Sequence, residues 1–121
     1  MRLLICEDNK IVTKTLSMVF EREGFDVDLA EDGKMAFDFL KKMDYDLIVV
    51  DIHLPFHSGL EIIRFMRTEL KKETPVLILS AFSDPEIQRQ AGELGIDGYV
   101  IKPFNPAEIA WRIRKILKLD Q

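Results

Sequence analysis

Leu47-Ile48-Val49-Val50 runs through apolar residues without a polar break and stops at Asp51. An unbroken run of that length reads as a strand buried on both faces, as in the middle of a parallel sheet. Two further runs behave alike: Leu3-Leu4-Ile5-Cys6 ends in Glu7-Asp8, and Val76-Leu77-Ile78-Leu79 ends in Ser80. A shorter one, Tyr99-Val100-Ile101, ends in Lys102-Pro103. Phe25-Asp26-Val27-Asp28-Leu29 instead alternates apolar and acidic residues. Alternation turns one face to water, so this strand belongs at an edge, where its charges also discourage pairing with another chain.

Between these runs the apolar residues recur at helical spacing. Val12, Leu16, Val19 and Phe20 follow a capping Asn9, and Gly24 closes that helix. Ala36, Phe39, Leu40 and Met43 mark a second helix, and Leu60, Ile63, Met66 and Leu70 a third. Lys71-Lys72-Glu73-Thr74 reads as a solvated turn. Asp84-Pro85 is an N-cap with proline at the first helical position, ahead of Ile87, Ala91 and Leu94. Asn105-Pro106-Ala107-Glu108 has the form of a capping box and opens a last helix on Ile109, Ile113, Ile116 and Leu117. Strict alternation of strand and helix predicts an α/β fold: a three-layer, doubly wound, five-stranded parallel sheet. With the alternating strand at an edge the order 2-1-3-4-5, the flavodoxin-like arrangement, is favoured, and its switch point falls between strands one and three.

The 121 residues make one domain, 1–121, with no repeat or linker. Apolar residues at 47% and charged ones at 31% are the balance of a folded globular chain. A net charge of -4 argues against nucleic-acid binding by this domain alone and against an anionic membrane surface. No run is long enough to span a bilayer, and the first strand begins too soon for a signal peptide. The single cysteine, Cys6, fits a reducing compartment and reads as a core residue, so the expected location is cytoplasmic.

In a parallel sheet the strand ends share one edge, so Glu7, Asp8, Asp51, Ser80 and Lys102 converge. Three carboxylates at close range repel one another. A hard divalent cation such as Mg²⁺ relieves that repulsion and commonly binds one or two carboxylates together with a phosphate. Lys102 adds positive charge and Ser80 a hydroxyl donor. Such a site suits phosphoryl transfer, which depends on positioning and charge neutralisation. Asp51, ending the central strand, is the best nucleophile, and Glu7 and Asp8 look like metal ligands. His53 and His57 do not form a metal pair on one helix face, because Pro55 lies between them.

Four pieces in order resemble the receiver domains of bacterial two-component response regulators. They are Glu7-Asp8-Asn9, Asp51 with Pro55 and Gly59, Ser80-Ala81, and Gly95 to Phe104. The resemblance covers nearly the whole chain. It implies that Asp51 accepts a phosphoryl group from a sensor histidine kinase or phosphotransfer protein. Glu7, Asp8, Asp51 and the backbone carbonyl of His53 would serve Mg²⁺, while Ser80 and Lys102 hold phosphoryl oxygens. Tyr99 would be a switch aromatic that turns inward as Ser80 moves, and the Lys102-Pro103 peptide would be cis. On this reading the chain is a phosphoacceptor switch rather than an enzyme acting on a separate substrate.

The last helix resembles the winged-helix transcription-factor branch, whose members dimerise through helix 4, strand 5 and helix 5. Trp111 falls opposite the buried stripe and should face outward, so Trp111, Arg112 and Glu108 are interface candidates. Gln88 and Gly98 stand where that branch usually carries a base and an acid, so only a weak homodimer is expected. Two alternatives stay open: a phosphatase-type enzyme turning over small phosphoesters on Asp51, though His53 replaces its usual second acid, and a binding module that keeps the fold without the transfer.

Overall fold

Alternate residues of the three continuous runs supply two separate cores. Leu3, Ile5, Leu47, Val49, Leu77 and Leu79 point to one face of the sheet, and Leu4, Cys6, Ile48, Val50, Val76 and Ile78 to the other. All are buried, which is what a strand covered on both sides requires. A computed structural model describes residues 1–119. The elements alternate as β1 (Arg2–Cys6), α1 (Lys10–Arg22), β2 (Asp26–Ala30), α2 (Gly33–Lys42), β3 (Leu47–Asp51), α3 (Gly59–Thr68), β4 (Val76–Ser80), α4 (Pro85–Leu94), β5 (Gly98–Ile101) and α5 (Pro106–Ile116). The sheet is parallel, in the order β2-β1-β3-β4-β5. Helices α1 and α5 cover the first core through Leu16, Phe20, Ile109 and Ile113. Helices α2, α3 and α4 cover the second through Ala36, Leu40, Ile62, Ile63, Met66 and Ala91.

Most helix starts follow their capping residues. The Asn9 side chain accepts the N–H groups of Ile11 and Val12, and Asp84 accepts those of Glu86 and Ile87. The capping box lies elsewhere than expected. At α5 the Asn105 side chain accepts only the Ala107 N–H, while Glu108 turns along the helix to Arg112 at 3.2 Å. The reciprocal pair forms at α3, between Ser58 and Glu61. Several stripes are narrower than their spacing suggests. Met43 is exposed beyond the end of α2, Leu70 lies past the end of α3, and Ala91 is the fully buried side chain of α4.

Two charged residues have structural work that spacing does not reveal. Lys72, in the expected solvated turn, donates to the carbonyls of Leu40 at 2.6 Å and Met43 at 3.0 Å and so closes α2. Arg67 donates to the carbonyls of Lys72, Leu94 and Gly95, tying the end of α4 to α3. On the edge strand the alternation is incomplete. Leu29 is exposed, whereas Asp28 is half-buried, bonded to the Tyr45 hydroxyl at 2.7 Å and to Arg2 at 3.0 Å.

Candidate functional site

Each site residue sits where a strand leaves the sheet, because the chain must turn there and its first polar group lies at the edge of the core. Glu7 follows β1, Asp51 and Ser80 end β3 and β4, and Lys102 follows β5. Glu7 and Asp51 keep only 2% and 6% of their surface exposed, Ser80 is buried, and Asp8 is open to solvent. One carboxylate oxygen from each of Glu7, Asp8 and Asp51 falls within 4.8 Å of the other two. That is a three-acid, all-oxygen donor set of the kind a hard cation takes.

Lys102 lies across this cluster. Its Nζ is 2.7 Å from Glu7 Oε1 and 3.0 Å from Asp51 Oδ2. Burial pushes the Glu7 carboxyl above the usual glutamate range, and the nearby Asp51 charge adds to this, against the opposing hydrogen bonds from Lys102 and the Asn9 N–H. Burial also pulls on the Lys102 ammonium, downward, but its bonds to Glu7 and Asp51 outweigh that and hold it above the usual lysine value. The ammonium is therefore the resident counter-charge of two buried acids.

The backbone completes the arrangement. The His53 N–H donates to Asp51 Oδ1 at 3.0 Å, so both oxygens of Asp51 are held. Gly59 must be glycine: a Cβ there would lie 2.5 Å from the Asp51 carbonyl oxygen. The Lys102-Pro103 peptide is cis. Ser80 Oγ accepts the Phe82 N–H at 3.2 Å, which leaves its own proton to donate. Phe82 in turn accepts the Tyr99 hydroxyl on its carbonyl, at 3.2 Å. Phe82 thus links Ser80 to Tyr99, a role the sequence reading missed; its position two residues after the strand-end serine was the available signal.

The structure brings Glu7, Asp8, Asp51 and Lys102 together, and places Ser80 at the end of the neighbouring strand, its carbonyl accepting the Lys102 N–H at 2.7 Å. The interface candidates divide. Arg112 lies over β5, its Nη1 3.8 Å from where a Cβ on Gly98 would sit. Trp111 is 58% exposed, as an outward position requires, but it faces the other way. It borders a groove of about 460 Å³ between α1 and α5, with Val19, Arg22, Ala107 and Arg114. The Lys115 ammonium lies 5.4 Å from the Trp111 ring centre. A helix separates adjacent residues by about 100°, so neighbours such as Trp111 and Arg112 readily serve different faces.

The model of the response regulator receiver domain family matches residues 3–114. The Escherichia coli K12 transcriptional regulatory protein CusR is 40% identical over 118 residues, which cover 98% of this chain and 52% of that protein. The Francisella response regulator 1452 receiver domain superposes with a TM-score of 0.88 at 32% identity, covering 97% of this chain and 96% of that one. DrrB, an OmpR/PhoB homologue from Thermotoga maritima, gives 0.86 at 31% identity, covering 97% of this chain and 52% of that one. The chain spans about half the length of the curated relatives it matches.

Proposed function

This chain belongs to the response regulator receiver domain family, signalling switches of two-component systems, and from that premise we propose that Asp51 is its phosphoacceptor. The observation that carries this is the Lys102 ammonium shared by Glu7 and Asp51 beside the uncommitted proton of Ser80. The donor is a phosphohistidine of a sensor kinase or phosphotransfer protein. An Asp51 oxygen forms the new P–O bond as the P–N bond breaks, and the imidazole leaves with that electron pair and takes up a proton. Lys102 and the Ser80 hydroxyl then face the phosphoryl oxygens. Glu7, Asp8, Asp51 and the His53 carbonyl would hold Mg²⁺, which supplies charge neutralisation at the transferring group. Slow return to the free carboxylate occurs when water takes the phosphoryl group.

The output follows from one chain of contacts. When Ser80 turns to donate to a phosphoryl oxygen, the Phe82 N–H loses its acceptor and the loop after β4 shifts. Tyr99 is bonded to that same Phe82, so its side chain is released from the surface. The face altered is α4, β5 and α5, where Glu108 and Arg112 lie. Full switching needs about 5.5 kcal/mol of differential stabilisation, within reach of several charge-assisted hydrogen bonds. A weak homodimer across that face, and a DNA-binding effector in the full-length protein, are the expected readers. Incubation with a small phosphodonor and Mg²⁺, followed by intact mass, should add one phosphoryl group to the parent and none to Asp51→Asn. Equal labelling of both would overturn the assignment.

A further inference from the structure

Three consecutive residues of the loop after Asp51 are each gripped by the start of α2, an element that supplies none of the acids. The Pro55 carbonyl accepts the Gly33 N–H at 3.0 Å. The Phe56 ring lies 4.1 Å below the Lys34 ammonium. The His57 ring stacks on Phe37, with centres 4.3 Å apart and planes at 16°. There is no slack at this contact: a Cβ on Gly33 would fall 2.4 Å from His57 Cβ and 2.8 Å from its backbone nitrogen.

The loop is also bent in an unfavourable way to make these contacts. The His57 N–H folds back onto the Pro55 carbonyl at 2.9 Å, with Phe56 between them at φ 73°. This is a γ-turn of the rare positive-φ form, and here a bulky aromatic occupies its centre. Phe56 is also 65% exposed, so burial of its ring does not compensate the bend. Strain of this sort persists where the surroundings over-determine the conformation, and it gathers at functional sites.

We infer that the N-terminal half of α2 is a clamp that positions the metal-binding loop, with Gly33 and Phe37 on the helix and His57 on the loop as the positioning residues. The inference rests on the phosphoacceptor reading above. His53, whose carbonyl is the backbone ligand in that reading, lies between two anchored segments. Upstream, the Ile52 N–H donates to the Leu79 carbonyl and the Ile52 carbonyl accepts the Gly59 N–H. Downstream, residues 55 to 57 are held by α2. The direction of the His53 carbonyl is thus set from both sides, and loosening α2 frees one of them. Coupling of this kind is reciprocal, so Mg²⁺ binding should also protect the start of α2.

The test measures Mg²⁺ affinity by calorimetry and amide exchange over residues 52 to 58, in parent, Gly33→Ala, His57→Ala and His57→Phe. Gly33→Ala and His57→Ala should weaken Mg²⁺ by about tenfold, the usual cost of losing a group that orients a metal ligand, and should speed loop exchange. His57→Phe keeps a ring on Phe37 and should stay near the parent in both. Val19→Ala, on the opposite face of the sheet, controls for general loss of stability and should leave Mg²⁺ affinity unchanged. The clamp is overturned if Gly33→Ala and His57→Ala bind Mg²⁺ as the parent does, or if Val19→Ala loses as much affinity. Should Gly33→Ala fail to fold, the two His57 variants decide. Should the parent bind no Mg²⁺, the phosphoacceptor reading falls by itself, and exchange in the metal-free proteins still decides the clamp: unchanged exchange overturns it.

Discussion

Replacing Lys102 with Met removes the ammonium and keeps most of the stem volume. Glu7 and Asp51, at 2% and 6% exposure, then face each other without a counter-charge. At the separations of 2.7 and 3.0 Å, each lost attraction is about 6 kcal/mol at an effective dielectric of 20. Most of that is offset, because burying the ammonium itself was costly. Stranding buried charge costs 3–5 kcal/mol net, and the Lys102 side chain is 19% exposed, so about 3 kcal/mol is the expected loss near neutral pH without divalent cation. The pH dependence has a definite sign. Glu7 is raised in the folded state above its ordinary value of 4.5, so its contribution is fully present below that value and is lost as pH rises through the folded value. Lys102→Met raises it further, so variant and parent should nearly coincide in acid and separate as pH rises. The assay is urea unfolding by far-UV circular dichroism in chelator, repeated with Mg²⁺, which should recover more stability in the variant than in the parent. A loss below about 1 kcal/mol, the scale of a surface pair, or a gap that does not close in acid, would refute the reasoning.

Three other outcomes follow from particular contacts. Asp8→Asn keeps the shape of an exposed ligand and removes its charge, so folding should survive while Mg²⁺ affinity falls; equal affinity by calorimetry would remove Asp8 from the ligand set. Tyr45→Phe forfeits the bond to Asp28 and should cost about 1 kcal/mol at neutral pH. Burial, then the bond to Asp28, raise the Tyr45 phenol above its ordinary 10.0, so that contribution is present below this pH and lost as pH rises beyond it; the gap to Tyr45→Phe should shrink in alkaline melts. Ser58→Ala breaks the reciprocal cap at α3 and should cost about 1 kcal/mol, read by urea unfolding.

The alternation of unbroken apolar runs with helical stripes was enough to predict a parallel sheet and which residues end each strand, and the acidic edge strand favoured the order that the sheet adopts. The reason is that burial on two faces leaves no other placement for Leu47 to Val50, and a parallel sheet brings every strand end to one edge. Glu7, Asp8, Asp51, Ser80 and Lys102 were legible for that reason, before any distance was known. What lay beyond sequence depends on contacts between elements far apart in the chain. Lys102 reaches Glu7 across 95 positions, and Arg67 holds the end of α4 across 27 and 28. A reciprocal capping box forms at Ser58 and Glu61, whereas at Asn105 the Glu108 carboxylate lies along the helix at 3.2 Å from Arg112. Trp111 reads as outward from its helical position alone, but which neighbour it faces, α1 rather than α4, is a property of how α5 is rotated on the sheet. The hold of α2 on Pro55, Phe56 and His57 has no periodic signal at all, because it joins a loop to a helix start, and only the packed chain decides where those meet.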